Sequence, residues 1–258
     1  MGRNLIVGDI HGCLDKLKSV LELAGFCDDD TLYFTGDICD RGPKPLDTLR
    51  FLMSLHSFKP VLGNHDLWLY RYLKYNELDE NWIGNNGGAI TVKDFETSEV
   101  LDEERKQIIR WLEAIPLIRE VPGFFIAHAS LPFDGLNTEA RIHEWKNADW
   151  TGLGQRDLKK IIWDREYGLS AYALEADRRK DPDLDINEWM ATPRLVYGRY
   201  ETDMSWDTES TIFIGHTPIL EGPVISGPYH LVNVDTGAFT PGGRLTLMDM
   251  GSLHFWQA

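Results

Sequence analysis

The sequence predicts an α/β fold, on three observations. In the first third of the chain, short apolar runs alternate with segments whose apolar residues recur at helical spacing. At each junction between them sits a cluster of Gly and polar residues, where an α/β protein places its ligands, at the carboxyl ends of its strands. Later in the chain, Gly123 to His128, Thr211 to His216 and His230 to Asp235 are apolar runs that each end on a polar residue.

Taken in order, Asn4 to Val7 reads as a strand, Gly8 to Gly12 as a loop, and Leu14 to Ala24 as a helix, with Leu14, Leu17, Val20 and Leu21 on one face. The plan repeats with strand Leu32 to Phe34, the Gly/Pro-rich loop Gly36 to Pro45 and helix Leu46 to Leu55. A third unit comprises strand Pro60 to Leu62, a turn at Gly63 and a helix from Leu67 to Leu73. Asn81 to Gly88 reads as a loop, Asp102 to Ala114 as a helix stopped by Pro116, and Leu245 to Met250 with Leu253 to Trp256 as a closing hairpin about Gly251-Ser252. The charged stretch between Trp163 and Thr211 reads as a solvated insertion or lid. The expected organisation is one domain spanning residues 1–258, with the charged insertion at about 168–208.

Composition narrows the function. A formal charge of -15 argues against a sequence-independent nucleic-acid binder, which needs a basic face, while its carboxylates favour divalent metals. No apolar run is long enough to span a bilayer, so no membrane partner is expected. Cys13, Cys27 and Cys39 form neither a CxxC nor an even set, which suits a reducing cytoplasm, and Cys13 and Cys39 read as packing residues. The N-terminus lacks signal-peptide features, and Ile6 stands where a myristoylation signal needs Ser or Thr. The oligomeric state is not legible.

The chemistry concentrates at the strand ends. Asp9 and His11 fall in Gly-Asp-Ile-His-Gly, Asp37 in Gly-Asp-Ile-Cys-Asp-Arg-Gly, and Asn64, His65 and Asp66 in Gly-Asn-His-Asp; His128 and His216 close later strands. Each alone suits a turn or a satisfied buried polar group. Together, a mixed carboxylate, imidazole and amide set suits manganese, iron or zinc better than calcium, and one carboxylate such as Asp37 can bridge two ions. Arg41, in the Asp-Arg-Gly turn, can grip phosphate oxygens through a planar guanidinium.

These motifs, with Gly-His-Thr at Gly215 to Thr217, resemble the calcineurin-like metallophosphoesterases, and within them the phosphoprotein phosphatase family, from Leu5 to about Met250. The resemblance implies a central β-sandwich flanked by helices, with two divalent transition metals, manganese first and iron or zinc as alternatives, in the loops at its edge. By the same resemblance, Asp9, His11 and Asp37 hold one metal, Asp37, Asn64, His128 and His216 the other, and a bridging hydroxide attacks phosphorus. His65, steered by Asp66, then protonates the leaving oxygen, with Asp40 behind the site. Arg165, in Trp163-Asp164-Arg165-Glu166, resembles a second phosphate-binding Arg of the lambda-type phosphatases.

Two subfamilies compete over the substrate. Asn81-Trp82 with Asn86-Gly87-Gly88, Pro132-Phe133-Asp134 and Gly215 to Pro218 resemble lambda-type Ser/Thr phosphatases, and favour a phosphoprotein or small phosphomonoester substrate. Leu62-Gly63-Asn64-His65-Asp66-Leu67 instead resembles symmetrical bis(5'-nucleosyl)-tetraphosphatases, because protein phosphatases usually carry Arg at the position of Leu62 and Glu at that of Asp66. On the first reading, Leu62→Arg should leave turnover intact or improve it. No base-seating cluster is evident, although the Trp-rich region around Trp189 and Trp206 could contain one. A binding module on a dead scaffold is the alternative from another class, and would normally show a lost ligand or acid; none is lost.

Overall fold

In the computed structural model, residues 2–131, 138–191, 194–196, 199–201 and 210–258 are described. Pro132 to Asp134 and Trp206, singled out in the sequence, lie outside them. The chain runs β1 (Asn4–Val7), α1 (Leu14–Leu23), β2 (Thr31–Phe34), α2 (Pro45–Ser54), β3 (Phe58–Pro60) and α3 (Asn64–Tyr75). Then come α4 (Glu80–Asn85), α5 (Gly88–Thr97), α6 (Asp102–Glu113), β4 (Ile118–Val121), β5 (Phe124–Ala127), α7 (Thr138–Lys146), a 3-10 turn at Trp150–Gly152 and α8 (Gln155–Ile162). The remainder is α9 (Glu166–Lys180), α10 (Ile186–Ala191), β6 (Arg194–Val196), β7 (Arg199–Glu201), β8 (Thr211–Ile214), β9 (Val224–Ser226), β10 (Leu231–Asn233), β11 (Thr246–Asp249) and β12 (Phe255–Gln257).

Two five-stranded sheets, ordered β12-β11-β1-β2-β3 and β4-β5-β8-β10-β9, form the centre. Strand alternation explains why they stack. In β1, Ile6 joins Val61, Ile126, Phe213, Val232 and Met248 between the sheets, while its neighbours Leu5 and Val7 face the other way, into the cluster containing Leu17 of α1 and Leu49 of α2. Each such aliphatic side chain contributes roughly 1.5 to 3 kcal/mol on full burial, enough to fix register, since a one-residue slip would turn every one to the wrong face. The expected sandwich flanked by helices is observed.

β1, β2 and β3 run parallel, as do β5, β8 and β10. Their carboxyl ends therefore open on one edge, and the polar residues that follow them meet there.

Four local expectations need correction. The third strand is Phe58–Pro60 rather than Pro60 to Leu62, because the ladder with β2 ends at the Val61 N–H, which donates to the carbonyl of Phe34, and Leu62 N–H turns away to the carbonyl of Pro116. Its helix begins at Asn64, not Leu67: the Asp66 carboxylate accepts the N–H of the N-cap Gly63 at 2.9 Å and so closes the first turn three residues earlier. Asn81 to Gly88 is not a loop. Asp79 caps α4 by accepting the N–H of Trp82 at 2.9 Å, and Gly87, at φ 80°, makes the left-handed step that starts α5. The stretch after Trp163 is not solvated throughout, because the first half of α9 buries Tyr167, Leu169, Ala171 and Leu174 against the second sheet.

Candidate metal and phosphate site

Three parallel strands of the first sheet deliver Asp9 and His11, then Asp37, Asp40 and Arg41, then Asn64 and His65; β5 and β8 deliver His128 and His216. All of these except Arg41, which is part-buried, are at most 5 % exposed, so the site is a polar cluster beneath the surface with a guanidinium at its mouth. The backbone is bent to form it: His11, Asp37, Asp40, Arg41 and His216 all have φ between 48° and 76°, a region that non-glycine residues seldom occupy and that clusters at functional sites. Two glycines allow the close approach. A Cβ on Gly63 would lie 2.2 Å from Asp37 Oδ1, and one on Gly215 would lie 2.1 Å from Asp9 Oδ1.

The Asp37 carboxylate faces both halves of the cluster. Its Oδ2 lies 3.6 Å from His11 Nε2 and 3.9 Å from His65 Nε2, and its Oδ1 lies 3.4 Å from His128 Nε2. Two groups of potential ligand atoms converge on it: His11, Asp37 and His65 on one side, Asp37, His128 and His216 on the other. Asn64 belongs with the second, its Oδ1 3.0 Å from His128 Nε2. Asp9 is next to both yet joins neither, since its oxygens accept from Thr35 Oγ1 at 3.0 Å and from the N–H of His216 at 2.9 Å.

Backbone partners fix the histidine tautomers. His11 Nδ1 donates to the carbonyl of Cys39 at 2.9 Å and His128 Nδ1 to that of Thr35 at 2.7 Å, which leaves each Nε2 lone pair aimed inward. At His128 Nε2 the ligand atoms Asn64 Oδ1, at 3.0 Å, and His216 Nδ1, at 3.1 Å, meet. His216 Nε2 is buried without a hydrogen-bond partner among the described residues. Nitrogen and oxygen ligand atoms that converge in this way fit a cation. The electrostatics agree: burial opposes charge on His128, yet the facing Asp37 carboxylate outweighs it and pushes the imidazole up to about 9. The field that favours a proton there favours a metal ion equally. Burial drives His11 and His216 towards the neutral form that a metal ligand requires, and raises Asp9, with the Asp235 charge adding to the effect.

The sequence expectation for Asp66 is corrected. It does not touch the His65 ring; its carboxylate accepts the backbone N–H groups of Asp37 at 2.9 Å, Ile38 at 3.0 Å and Gly63 at 2.9 Å, and burial pushes it up to about 6. The carboxylate on His65 is that of Asp40, whose Oδ2 lies 2.5 Å from Nδ1. Asp40 is held in turn by Trp82 Nε1 at 2.6 Å and Thr91 Oγ1 at 2.6 Å.

Arg41 lies across the mouth. Its Nη1 is 3.4 Å from His11 Nε2, and its Nη2 is 3.2 Å from both His65 Nε2 and Asn86 Oδ1. Its guanidinium lies 4.3 Å from the centre of the Phe239 ring. Arg165 approaches from the N-cap of α9 and donates to the carbonyl of His216 at 2.7 Å. Asn86, singled out in the sequence within Asn86-Gly87-Gly88, is part of this cluster, and so are Thr91, Phe239 and Asp235, the last pushed up to about 6 by burial, which the sequence reading did not assign to it. Of these three, only Asp235 left a signal, as a polar residue directly after an apolar run.

A two-sheet α/β scaffold with a buried His, Asp and Asn cluster at the ends of its parallel strands, flanked by arginines, defines a metal-dependent hydrolase. The calcineurin-like phosphoesterase sequence pattern matches residues 2–230. The chain belongs to that family, whose members hydrolyse phosphoesters with divalent metals. Among curated relatives, it is 30% identical over 268 residues, 94% of this chain and 93% of the other, to a symmetrical bis(5'-nucleosyl)-tetraphosphatase of Vibrio campbellii. Among solved structures, it resembles a metallophosphoesterase from Sphaerobacter thermophilus, with a TM-score of 0.52 at 19% identity over 100% of this chain and 88% of the other. It also resembles a protein serine/threonine phosphatase from Saccharomyces cerevisiae, with a TM-score of 0.59 at 16% identity over 97% of this chain and 73% of the other. Among the described residues, no helix is long and apolar enough to cross a membrane.

Proposed function

We propose that the chain is a hydrolase of dinucleoside tetraphosphates, cutting the central phosphoanhydride with one water to give two nucleoside diphosphates. The observation that carries this reading is the likeness to a relative of that name, which extends over 94% of the chain and is not confined to the metal motifs. The likeness to the protein phosphatase, at 16% identity, speaks to the fold alone.

Leu62 supports the same choice. It is fully buried in the apolar core, so this position offers no phosphate-gripping cation. His11 and Asp37, joined on the family's pattern by Asp9, whose oxygens here accept from Thr35 and the His216 N–H, would hold one cation and Asp37, Asn64, His128 and His216 the other, with manganese the ion best suited to this mixed oxygen and nitrogen set. When bound, the two cations supply Lewis-acid charge and acidify a water near neutral pH. Arg41 and Arg165 grip the phosphoryl oxygens flanking the scissile bond. His65 carries the proton for the leaving oxygen on Nε2, and Asp40 holds Nδ1–H and stabilises the imidazolium. The three cysteines are unpaired thiols, in keeping with a reducing compartment such as the cytoplasm.

A second reading, phosphoprotein dephosphorylation, is favoured by one specific observation. The segment resembling lambda-type phosphatases is built around the arginine: Asn86 accepts from Arg41, and a Cβ on Gly87 would lie 2.5 Å from its backbone nitrogen. Turnover of diadenosine tetraphosphate, phosphopeptides and p-nitrophenyl phosphate, each with manganese and with chelator, separates the two. Symmetrical cleavage to two ADP, abolished by chelator, is the expected result. Strong phosphopeptide turnover with an inert tetraphosphate would assign the enzyme to the other subfamily.

A further inference from the structure

A cavity of about 340 Å³ opens beside the cluster, within the range of small-molecule clefts. Its lining includes Trp68, Arg71, Asn81, Leu158, Lys159 and Trp163. Two aromatic rings form an angled wall: Trp68 and Trp163 are 5.7 Å apart at an interplanar angle of 74°. Trp68, with 6% exposure, and Leu158, with 2%, make an apolar floor, and Trp163 is half-buried. The lining carries two cations, Arg71 and the exposed Lys159, neither in an ion pair among the described residues, against one carboxylate, Asp79, which accepts the N–H of Trp82, so the cleft is net cationic. On a chain of net charge -15, two unpaired cations beside two indoles form an unusual patch.

The cavity is joined to the phosphate site at three points. Trp68 lies edge-on to His65 with ring centres 5.0 Å apart. The carbonyl of Asn81 accepts from Asn86 Nδ2 at 3.0 Å, and Asn86 Oδ1 accepts from Arg41 at 3.2 Å. Trp163 ends α8 two residues before Arg165, which reaches the carbonyl of His216. A ligand whose phosphates lie between Arg41 and Arg165 would therefore bring the group attached to them to this cleft.

We propose that the cleft seats one nucleoside of the substrate, with its base against Trp163, the Asn81 side chain at the base edge, and Arg71 and Lys159 on the phosphates nearest that nucleoside. The proposal rests on the tetraphosphatase reading and supplies the base-seating cluster missing from the sequence, at Trp68 and Trp163 rather than around Trp189. Trp189 is 4 % exposed and its Nε1 donates to Asp177, so its ring is packed rather than open to a ligand. A π-face tolerates any base, so affinity should follow the presence of a base more than its identity. A phosphopeptide would use the cationic rim but leave the indole wall unfilled.

Calorimetry on the manganese-loaded enzyme tests this with ADP, adenosine and inorganic phosphate as probes. ADP should bind at least 10-fold tighter than phosphate. Trp163→Ala should weaken ADP by at least 10-fold while changing phosphate less than twofold, Trp163→Phe should recover most of the loss, and Arg71→Ala should weaken ADP more than adenosine. Circular dichroism checks the fold of each variant, and Arg71→Ala, at the rim, keeps the test decisive if Trp163→Ala does not fold. Unchanged ADP affinity in the folded variants, or parallel loss of ADP and phosphate, overturns the proposal. If the base dependence holds but diadenosine tetraphosphate is not cleaved, the cleft stands and the tetraphosphatase reading falls. If it is cleaved and the variants bind ADP normally, the reading stands and the cleft falls.

Discussion

Nδ1 of His65 lies 2.5 Å from Oδ2 of Asp40, twenty-five residues earlier in the chain, while Asp66, its immediate neighbour, turns away to three backbone N–H groups. The carboxylate that supports the imidazole and the one that holds the loops are thus different residues. Asp40→Asn should slow turnover by roughly 10- to 100-fold with little change in stability, as loss of a carboxylate behind a functional histidine typically does. Asp66→Asn should instead lower stability by about 1.5 to 3 kcal/mol, the scale of a lost charged hydrogen bond, while folded molecules keep most of their turnover. Urea unfolding and kinetics on both variants decide the matter, and the reverse pattern would return the supporting role to Asp66.

Asp37 is central to the metal assignment because its two oxygens face separate histidine groups. Asp37→Asn keeps the shape but removes the negative charge at the junction and leaves one neutral oxygen donor, and should lose most bound metal and nearly all turnover. Metal content by mass spectrometry is the check. A variant that retains two tightly bound ions with ordinary kinetics would remove Asp37 from the bridge.

Leu62→Arg is expected from the sequence to be tolerated or helpful, and the structure predicts otherwise. Leu62 is fully buried in the apolar core, and an ion placed there without a partner costs several kcal/mol even after relaxation. Thermal unfolding should show a large drop or no folded protein. An unchanged midpoint would mean that the side chain escapes to the site.

The pair formed by Arg3 and Asp30, far from the cluster, sets an acid limit on stability. Arg3 donates to Asp30 at 2.7 Å and 3.2 Å through its guanidinium, and its backbone N–H adds a bond at 2.8 Å. Side-chain bonding from Arg3 holds this carboxyl well below the usual carboxylate range. A depressed folded-state value means that the stabilisation is complete above the unfolded value near 4 and disappears as pH falls through and below it. Asp30→Asn should therefore lower stability at pH 7 and flatten its decline between about pH 4 and 2. Parallel acid unfolding curves for the two proteins would show that the pair contributes nothing.

The sequence by itself determined the central strands, because buried apolar runs such as Leu5 to Val7 and Ile212 to Ile214 can be satisfied in few other ways, and it located the polar cluster, because its residues lie in the loops just after such runs. It also determined the family, through motifs whose spacing is local. Only the tertiary structure decided which carboxylate serves His65, because Asp40 reaches it across two loops while adjacency in sequence pointed to Asp66. The same holds for the Asn81 to Gly88 segment. Its Asn and Gly residues carry a loop signal, yet burial of Trp82 on Asp40 and of Gly88 against the Trp82 ring makes helices there. The cleft of Trp68 and Trp163 was equally invisible, since its walls come from α3 and the end of α8, and nothing in either local pattern records that they face each other. Local periodicity is written in neighbouring residues, whereas the pairing of distant side chains is settled only when the whole chain packs.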